Sequence, residues 1–585
     1  MFQKNDSHAQ EQLFSPVKEL PAGPQRKLEN HWSTHFYEHV FSKIDEEKFG
    51  GLYHDGYSRP NKPVNVLVSL EIIKHLMNLS DEELEHAYLF DFRVRNALGE
   101  ETLGDNICQK TFTNFRRRLM EYEEETGRDL LHEVFEDHRA YLMDEFDIDG
   151  STQRMDSTYI EANIKQLSRV DLIAKVLHNF LTDLPAEIGE ELPAGMDQFI
   201  DIDNLSLSYQ LEPDEISSTI DTLIEHTAWL VDRFENDPEY ANRESFTHLE
   251  RVLDEQCYRI TELESDDADT SEGEQSNPGD ESPGWMPVRE FTSIEAERQP
   301  ASTTDDGESE SDTSNDRVGL KEPDEVGSGS LHHPHDDEAT YRRKDEEDHF
   351  GYKSNLAETC CGENPFRVIT AVRTATNNTP DGELLAEDVP ELPQETDLSD
   401  LLVDGGYVDH DVEALCEEYG IAQHFSGIPG EKPAADKLSL AEAEWDRNRM
   451  VACPAGHEPF DQRYYPEKGR YSGKMDTDLC SNCPHEESCF VDEKVNAYTY
   501  GFYERRLEVA QRRKRLKNLD EHDLLQLRAG AESLVNEVYH QDRAKAKFTG
   551  EIKVKNASIA KAIGTNLKRA SRFLESEART EESAG

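Results

Sequence analysis

The chain has 585 residues, too many for one ordinary core, and carries 124 Asp+Glu against 62 Lys+Arg, a formal net charge of −62. Only 35% of it is hydrophobic and the mean hydropathy is −0.80, yet 24 Phe, 21 Tyr and 4 Trp exclude a wholly disordered polymer. No run approaches 18 apolar residues, which excludes a membrane-spanning helix, and MFQKNDSHAQEQLF lacks the basic-then-apolar pattern of a signal peptide, so none is expected.

After a flexible N-terminus over 1–29, apolar residues at three-and-four spacing predict an all-helical segment over 30–145. Its helices are HFYEHVFSKI, VNVLVSLEIIKHLMNL, DEELEHAYLFDFRVRNAL and KTFTNFRRRLMEYEEE. Ser80-Asp81-Glu82-Glu83 reads as a capping box, and Pro60 and Pro63 punctuate the loop before the Val64–Leu79 helix. The segment 146–260 opens on a short β-prone run, QRMDSTYI, and continues as helix. Residues 261–340 then hold 24 acidic and only 4 basic residues, so 261–335 is predicted as a disordered acidic insertion that acts as a solvated spacer. Strand-like runs resume in 336–449 with HFGYKSNLAETC, NPFRVITAVRTATNN and DLLVDGGYVDHD, then helical VEALCEEYG and the short AQHFSG. That order predicts an α/β core. A Cys-containing, turn-rich insertion occupies 450–500. Basic helices fill 501–575, with 17 Lys+Arg against 9 Asp+Glu over 501–573, and a tail occupies 576–585.

Three acids stand out chemically. Asp156 interrupts an apolar strand, and Asp404 ends the apolar run DLLVD just before Gly405-Gly406; a carboxylate in a buried β run is costly without a cation or donor. Asp404 also suits a simple turn opening. Glu532 lies four residues after Arg528 on one helical face of LLQLRAGAESLVNEVY, a spacing that equally suits a surface ion pair.

These blocks together resemble the DDE transposases of the IS4/IS5-like group, closest to the IS1182-type insertion-sequence transposases. PVNVLVSLEIIKHLMNLSDEELEHAYLFDFRVRNALG with KTFTNFRRRL is similar to that family's N-terminal domain for DNA binding and assembly. QRMDSTYIEANIKQLSR looks like its first catalytic strand, and DDEATYRRKDEEDHFGYKSNLA like the segment leading into the second. ATNNTPDGELL followed by LLVDGGYVD looks like the second acidic motif. RAGAESLVNEVY and AKAKFTGEIKVKNASIAKAIGTNLKRASRF look like the acidic helix and the closing block. The resemblance implies an RNase H-like catalytic core, split by the acidic insertion, with Asp156, Asp404 and Glu532 as its catalytic carboxylates. It also implies two Mg²⁺ or Mn²⁺ ions about 3.5–4 Å apart that cut and rejoin DNA. The sequence departs from the family where a Lys or Arg usually follows the Glu by about seven residues; Tyr539 stands there and Arg543 is the next base. Glu508 in YERRLEVAQRRKRLK is the rival third acid.

Cys453, Cys480, Cys483 and Cys489 lie within 37 residues with one C-x₂-C pair, a set able to hold a structural Zn²⁺ or to remain plain buried thiols. Phosphate contacts are expected from Lys110, Arg116, Arg117 and Arg118, from Arg505, Arg506, Arg512, Arg513, Lys514, Arg515 and Lys517, and from Arg528 and Arg543. The implied partners are transposon terminal inverted repeats and target DNA, held by a homodimer in synapsis, with no membrane. An acidic excess spread through nearly every segment fits a high-salt cytosol, where screening removes self-repulsion. Scattered cysteines fit a reducing one. A nuclease without strand transfer and a catalytically degenerate DNA-binding protein are the rival readings.

Overall fold

The computed structural model describes the chain except residues 1, 6–7, 9–19, 54–59, 100–106, 186–191, 201–206, 261–316, 345, 426–436, 448, 495–496, 519–529, 540–544 and 585. The expected acidic linker therefore lies outside the described residues over 261–316, as do Arg528, Arg543 and residues 9–19 of the expected flexible N-terminus.

The amphipathic segments of 30–145 fold as helices, among them Trp32–His39, Val64–Leu76, Asp81–Phe90, Gln109–Thr126 and Leu130–Glu145. The Ser80 box is formed: Ser80 Oγ accepts from Glu83 N at 3.2 Å, and Glu83 Oε2 accepts from Ser80 N at 2.8 Å. Val64–Leu76 is buried along its whole length, so its polar residues need partners. Lys74 Nζ lies 2.5 Å from Asp81 Oδ1, and Arg116 Nη2 lies 2.6 Å from Asp81 and 2.8 Å from Glu71. These helices do not close a core of their own. Phe36, Ile73 and Phe115 share one apolar cluster with Ile160, Leu356, Leu534 and Ile563 from the rest of the chain.

Burial of imidazole in this cluster makes the fold acid-sensitive. His35, His39, His75 and His138 are all held below their ordinary titration range, chiefly by desolvation, with His138 lowered to about 4. The unfolded chain takes up these protons near pH 6.5 and the folded one only at lower pH, about 4 for His138. The stabilisation is thus complete above 6.5 and is lost as pH falls toward 4. Scanning calorimetry across that window is expected to show a falling melting temperature. The fall should be shallower in His138→Asn, which can still donate to the His39 carbonyl that His138 Nδ1 meets at 3.2 Å.

Eight strands follow: β1 (Thr152–Glu161), β2 (Cys257–Ile260), β3 (Arg317–Leu320), β4 (Thr340–Lys344), β5 (Glu347–Thr359), β6 (Ile369–Thr376), β7 (Asp400–Val403) and β8 (Ala422–Phe425). The strands and the His410–Glu418 helix expected from β5 to β8 are present, but two short helices that were not expected, Asp381–Asp388 and Leu392–Thr396, stand between β6 and β7. In the central sheet β5 pairs antiparallel with β1, β4 and β6, while β1 pairs parallel with β7 and β7 with β8. Alternation along the strands sends Met155, Ala357, Ala371, Leu401 and Val403 to one face, packed with Leu385, Val389, Leu392 and Val412 from three short helices. Ile160, Tyr352, Leu356 and Val372 point to the other face, toward the N-terminal helices and the long helix Glu551–Ala584.

Helices between β1 and β2 bury a separate core that includes Val176, Phe180, Leu230 and Leu249. Residues 317–335, assigned by composition to the acidic linker, are ordered against it. β3 pairs with β2, and Leu331 is fully buried in that core. The expected tail 576–585 likewise continues the Glu551–Ala584 helix through Ala584. That helix docks through Asn566, whose Oδ1 accepts from Ile369 N at 2.7 Å and whose Nδ2 donates to Ile369 O at 3.0 Å. Asn566→Ala leaves both buried backbone groups unmet, and denaturant titration is expected to show a loss of about 2–3 kcal/mol.

The Cys-containing segment forms β9 (Glu444–Asp446), β10 (Arg449–Ala452), β11 (Asp461–Tyr465), β12 (Arg470–Met475), β13 (Asp492–Lys494) and β14 (Ala497–Tyr503). Its core includes Met450, Tyr471, Tyr498 and Phe502, and the basic helix Glu504–Asn518 closes it with Leu507 and Ala510.

Candidate active site

Register places two of the sequence-selected acids together. Thr152, Gln153 and Arg154 of β1 pair with Asp400, Leu401 and Leu402 of the parallel β7. Continued two residues beyond its last pair, this register brings Asp156 alongside Asp404, on the face shared with Arg154, and the buried Tyr407 phenol lies close enough to feel both charges. Both are half-buried. Asp156 Oδ1 accepts from Ser157 N at 3.0 Å. Asp404 caps the turn at Gly405–Tyr407, its Oδ1 accepting from Gly406 N at 2.8 Å. The turn role and the cleft role thus coexist at Asp404.

The charge of the pair is felt nearby. Tyr407 is fully buried and its phenol is raised well above its ordinary range, first by burial, then by Asp381, Asp156 and Asp404. Its hydroxyl donates to Asn355 Oδ1 at 2.5 Å. A methyl on Gly406 would stand 2.9 Å from Asp381 Oδ2 and 3.0 Å from Asp404 Oδ1, so two carboxylates border the same glycine. Asp381 meets Lys353 Nζ at 2.9 Å, and burial lowers that ammonium while Asp381 opposes the shift. Neither Asp381 nor Lys353 was singled out from sequence. The rule that selected Asp156, a charge inside an apolar strand, applies equally to Lys353 in HFGYKSNLAETC.

Glu532 sits exposed on the helix Ala531–Tyr539, which packs on β1 and β5. A methyl on Gly530, just before that helix, would fall 2.0 Å from Arg154 Nη1. The helix therefore begins over the Arg154 and Asp156 face. Glu508 belongs to the helix that closes the Cys-containing subdomain. Among the described residues no three His, Cys, Asp or Glu side chains already stand as a metal-holding group, so the helix that carries Glu532 packs on β1 while Glu532 is not gathered to the two aspartates. Tyr539, at the position of the expected Lys or Arg, is buried and donates to Ser558 Oγ at 2.9 Å. Lys561 Nζ lies 4.5 Å from its ring centroid.

The basic residues divide. Lys110, Arg117 and Arg118 are exposed on Gln109–Thr126, with Arg117 paired to Glu121 at 2.5 Å and Arg118 over the Tyr53 ring. Arg116 is not on that surface. Its side chain is 12% exposed and committed to Asp81 and Glu71, a requirement of the buried Val64–Leu76 helix. On Glu504–Asn518, Arg505, Arg506 and Lys514 are exposed and Arg513 is half-buried, with Lys514 Nζ donating to Ala441 O at 2.7 Å. The side chains of Arg512, Arg515 and Lys517 lie outside the described residues. No helix of the described chain is long and apolar enough to cross a membrane.

Cys453, Cys480, Cys483 and Cys489 line one small cavity together with His457 and Glu486. Burial pushes the Cys480 thiol up to about 11, with Cys489, Cys453 and Cys483 adding to the shift.

Residues 26–118 match a family model described as a transposase domain (DUF772), and residues 452–571 match one described as a transposase DDE domain. The second stretch contains Glu532 and the four clustered cysteines; Asp156 and Asp404 lie between the two matches. No curated protein and no solved structure matches the chain. An N-terminal transposase domain and a transposase DDE domain in one polypeptide support a transposase function in DNA transposition.

Proposed function

We propose that the chain cuts DNA at transposon ends and joins the freed 3′ ends to target DNA, in an RNase H-like core whose catalytic carboxylates are Asp156, Asp404 and Glu532. The observation that carries this reading is the register of β1 and β7, which sets Asp156 beside Asp404 on the face over which the Glu532 helix begins. A sheet of three antiparallel strands (β6, β5, β1) continued by two parallel ones (β7, β8) supports the RNase H-like assignment.

The donor set suits hard divalent cations. Carboxylate oxygens are the ligands Mg²⁺ and Mn²⁺ prefer, and Asp156, Asp404 and Glu532 would hold two such ions. Bound there, the pair supplies Lewis-acid stabilisation of the attacking and leaving oxygens. Asp404 is oriented by its bond from Gly406 N, and the Lys353–Asp381 pair braces the same turn from below. Lys110, Arg117 and Arg118 on one helix and Arg505, Arg506, Arg513 and Lys514 on another offer phosphate contacts that fix the duplex; Arg512, Arg528 and Arg543 are proposed as further phosphate contacts on their charge alone. A homodimer holds the two ends, and the acidic remainder keeps the protein soluble in a high-salt cytosol.

The test is cleavage of a labelled transposon-end duplex in high salt with Mg²⁺, Mn²⁺ or chelator, with target DNA present. Metal-dependent nicks and joined products are expected. Cutting without joining supports the nuclease reading, and a mobility shift without cutting supports a degenerate binder.

A further inference from the structure

Four thiols in one subdomain need no ligand as such, because free cysteine packs as a small apolar group. Their convergence is what calls for explanation. Cys453 follows β10, Cys480 ends the short helix Thr477–Cys480, and Cys483 and Cys489 lie in the loop before β13. All four line one cavity of about 20 Å³, room for a single water or ion. The backbone around them folds in successive tight turns. Gly456 N donates to Cys453 O at 2.8 Å with Gly456 at φ +83°, and Cys483 N donates to Cys480 O at 3.0 Å. Glu486 N donates to Cys483 O at 3.1 Å. None of the nine cysteines is in a disulfide, so nothing covalent ties these turns together. Of the other polar lining groups, Glu486 is engaged by Tyr498, whose hydroxyl donates to it at 2.5 Å.

We propose that Cys453, Cys480, Cys483 and Cys489 bind one structural Zn²⁺ tetrahedrally, tying the turns of this subdomain together beneath the basic helix Glu504–Asn518. A set of four soft thiolates in tetrahedral array selects zinc over the hard cations suited to carboxylates. The thiols line the cavity without yet forming a ligand set, so closing on Zn–S bonds of about 2.3 Å requires side-chain rotation, as each thiol moves toward the common centre. Binding releases the four thiol protons to solvent, so affinity rises with pH. The ion tethers segments 36 residues apart in sequence and compensates for the small core of this subdomain.

The test uses the full chain and no DNA, so it stands apart from the cleavage assay. Elemental analysis is expected to give one zinc per chain, released in step with titration of the thiols by an organomercurial. Protein prepared with Co²⁺ is expected to show the sulfur-to-cobalt charge-transfer band and the strong visible bands of a tetrahedral thiolate site. Cys480→Ser and Cys483→Ser should lose the metal, whereas His457→Ala should keep it. Chelator should lower the melting temperature of the wild type and of His457→Ala. Sub-stoichiometric zinc with freely titrating thiols in the native wild type overturns the proposal. So does iron in place of zinc, or a cobalt spectrum without thiolate bands.

Discussion

Asp404→Asn is expected to remove metal-dependent cleavage of transposon ends by roughly three orders of magnitude or more, with the fold intact. The substitution is nearly isosteric, and its carboxamide oxygen can still accept from Gly406 N, so the turn at Gly405–Tyr407 keeps its cap. What disappears is the anionic oxygen beside Asp156. The same loss is expected for Asp156→Asn and for Glu532→Gln, since the three are proposed to act as one ligand set and should not add independently. Asp381→Asn is the control. It borders the same glycine but is committed to Lys353, so its effect should be much smaller and should appear in stability as well as rate. End-cleavage rates with Mg²⁺ and with Mn²⁺, beside melting temperatures, decide the matter. A fully active Asp404→Asn would remove Asp404 from the site, and an inactive but unfolded one would show in the melt.

Much of this site was legible because strands advertise themselves. A carboxylate inside RMDSTYI and another at the end of DLLVD both break an apolar pattern, and breaking it carries a desolvation cost that must be met somewhere. That the two meet was not legible from local pattern, because it depends on a parallel pairing across nearly 250 residues, and no short-range signal sets that register. Asp381 was missed for a related reason: in TPDGELL it looks like ordinary punctuation until the fold brings it to Lys353 under Asp404, whereas Lys353 breaks an apolar strand as Asp156 does and carried a signal that was passed over. Charge alone also misled at Arg116. Three consecutive arginines suggest a phosphate-binding face, yet successive residues on a helix point 100° apart, and Arg116 turns inward to neutralise Asp81 and Glu71. The N-terminal helices have the amphipathic spacing of a free-standing domain, but amphipathicity does not name the partner surface. Here that surface is largely the Glu551–Ala584 helix and the central sheet.

The second large effect is expected at Glu358, and it connects stability to chemistry. Glu358 is fully buried on β5 opposite Arg154 of β1, and its Oε1 accepts from Arg154 Nε at 2.8 Å. Arg569 Nη2 approaches its other oxygen at 2.7 Å as an ion pair. Arg569 also meets Glu537 Oε2 at 2.8 Å. Two guanidinium groups thus share one buried carboxylate, and Glu537 anchors the helix that carries Glu532 to the same network. Glu358→Ala removes the carboxylate that both guanidinium groups share in a low-dielectric site, leaving Arg569 only its partly exposed partner Glu537, and chemical denaturation is expected to show a loss of about 3–5 kcal/mol. Arg154→Met should cost less, because Glu358 keeps Arg569 and the new side chain fills similar volume. Glu537→Ala should cost least in stability, since its carboxylate is partly exposed. It should nevertheless slow end cleavage, because it frees the Ala531–Tyr539 helix from Arg569 and so loosens Glu532 over the two aspartates. A Glu537→Ala enzyme with wild-type stability and wild-type rate would show that the network supports the sheet alone and does not position the third carboxylate.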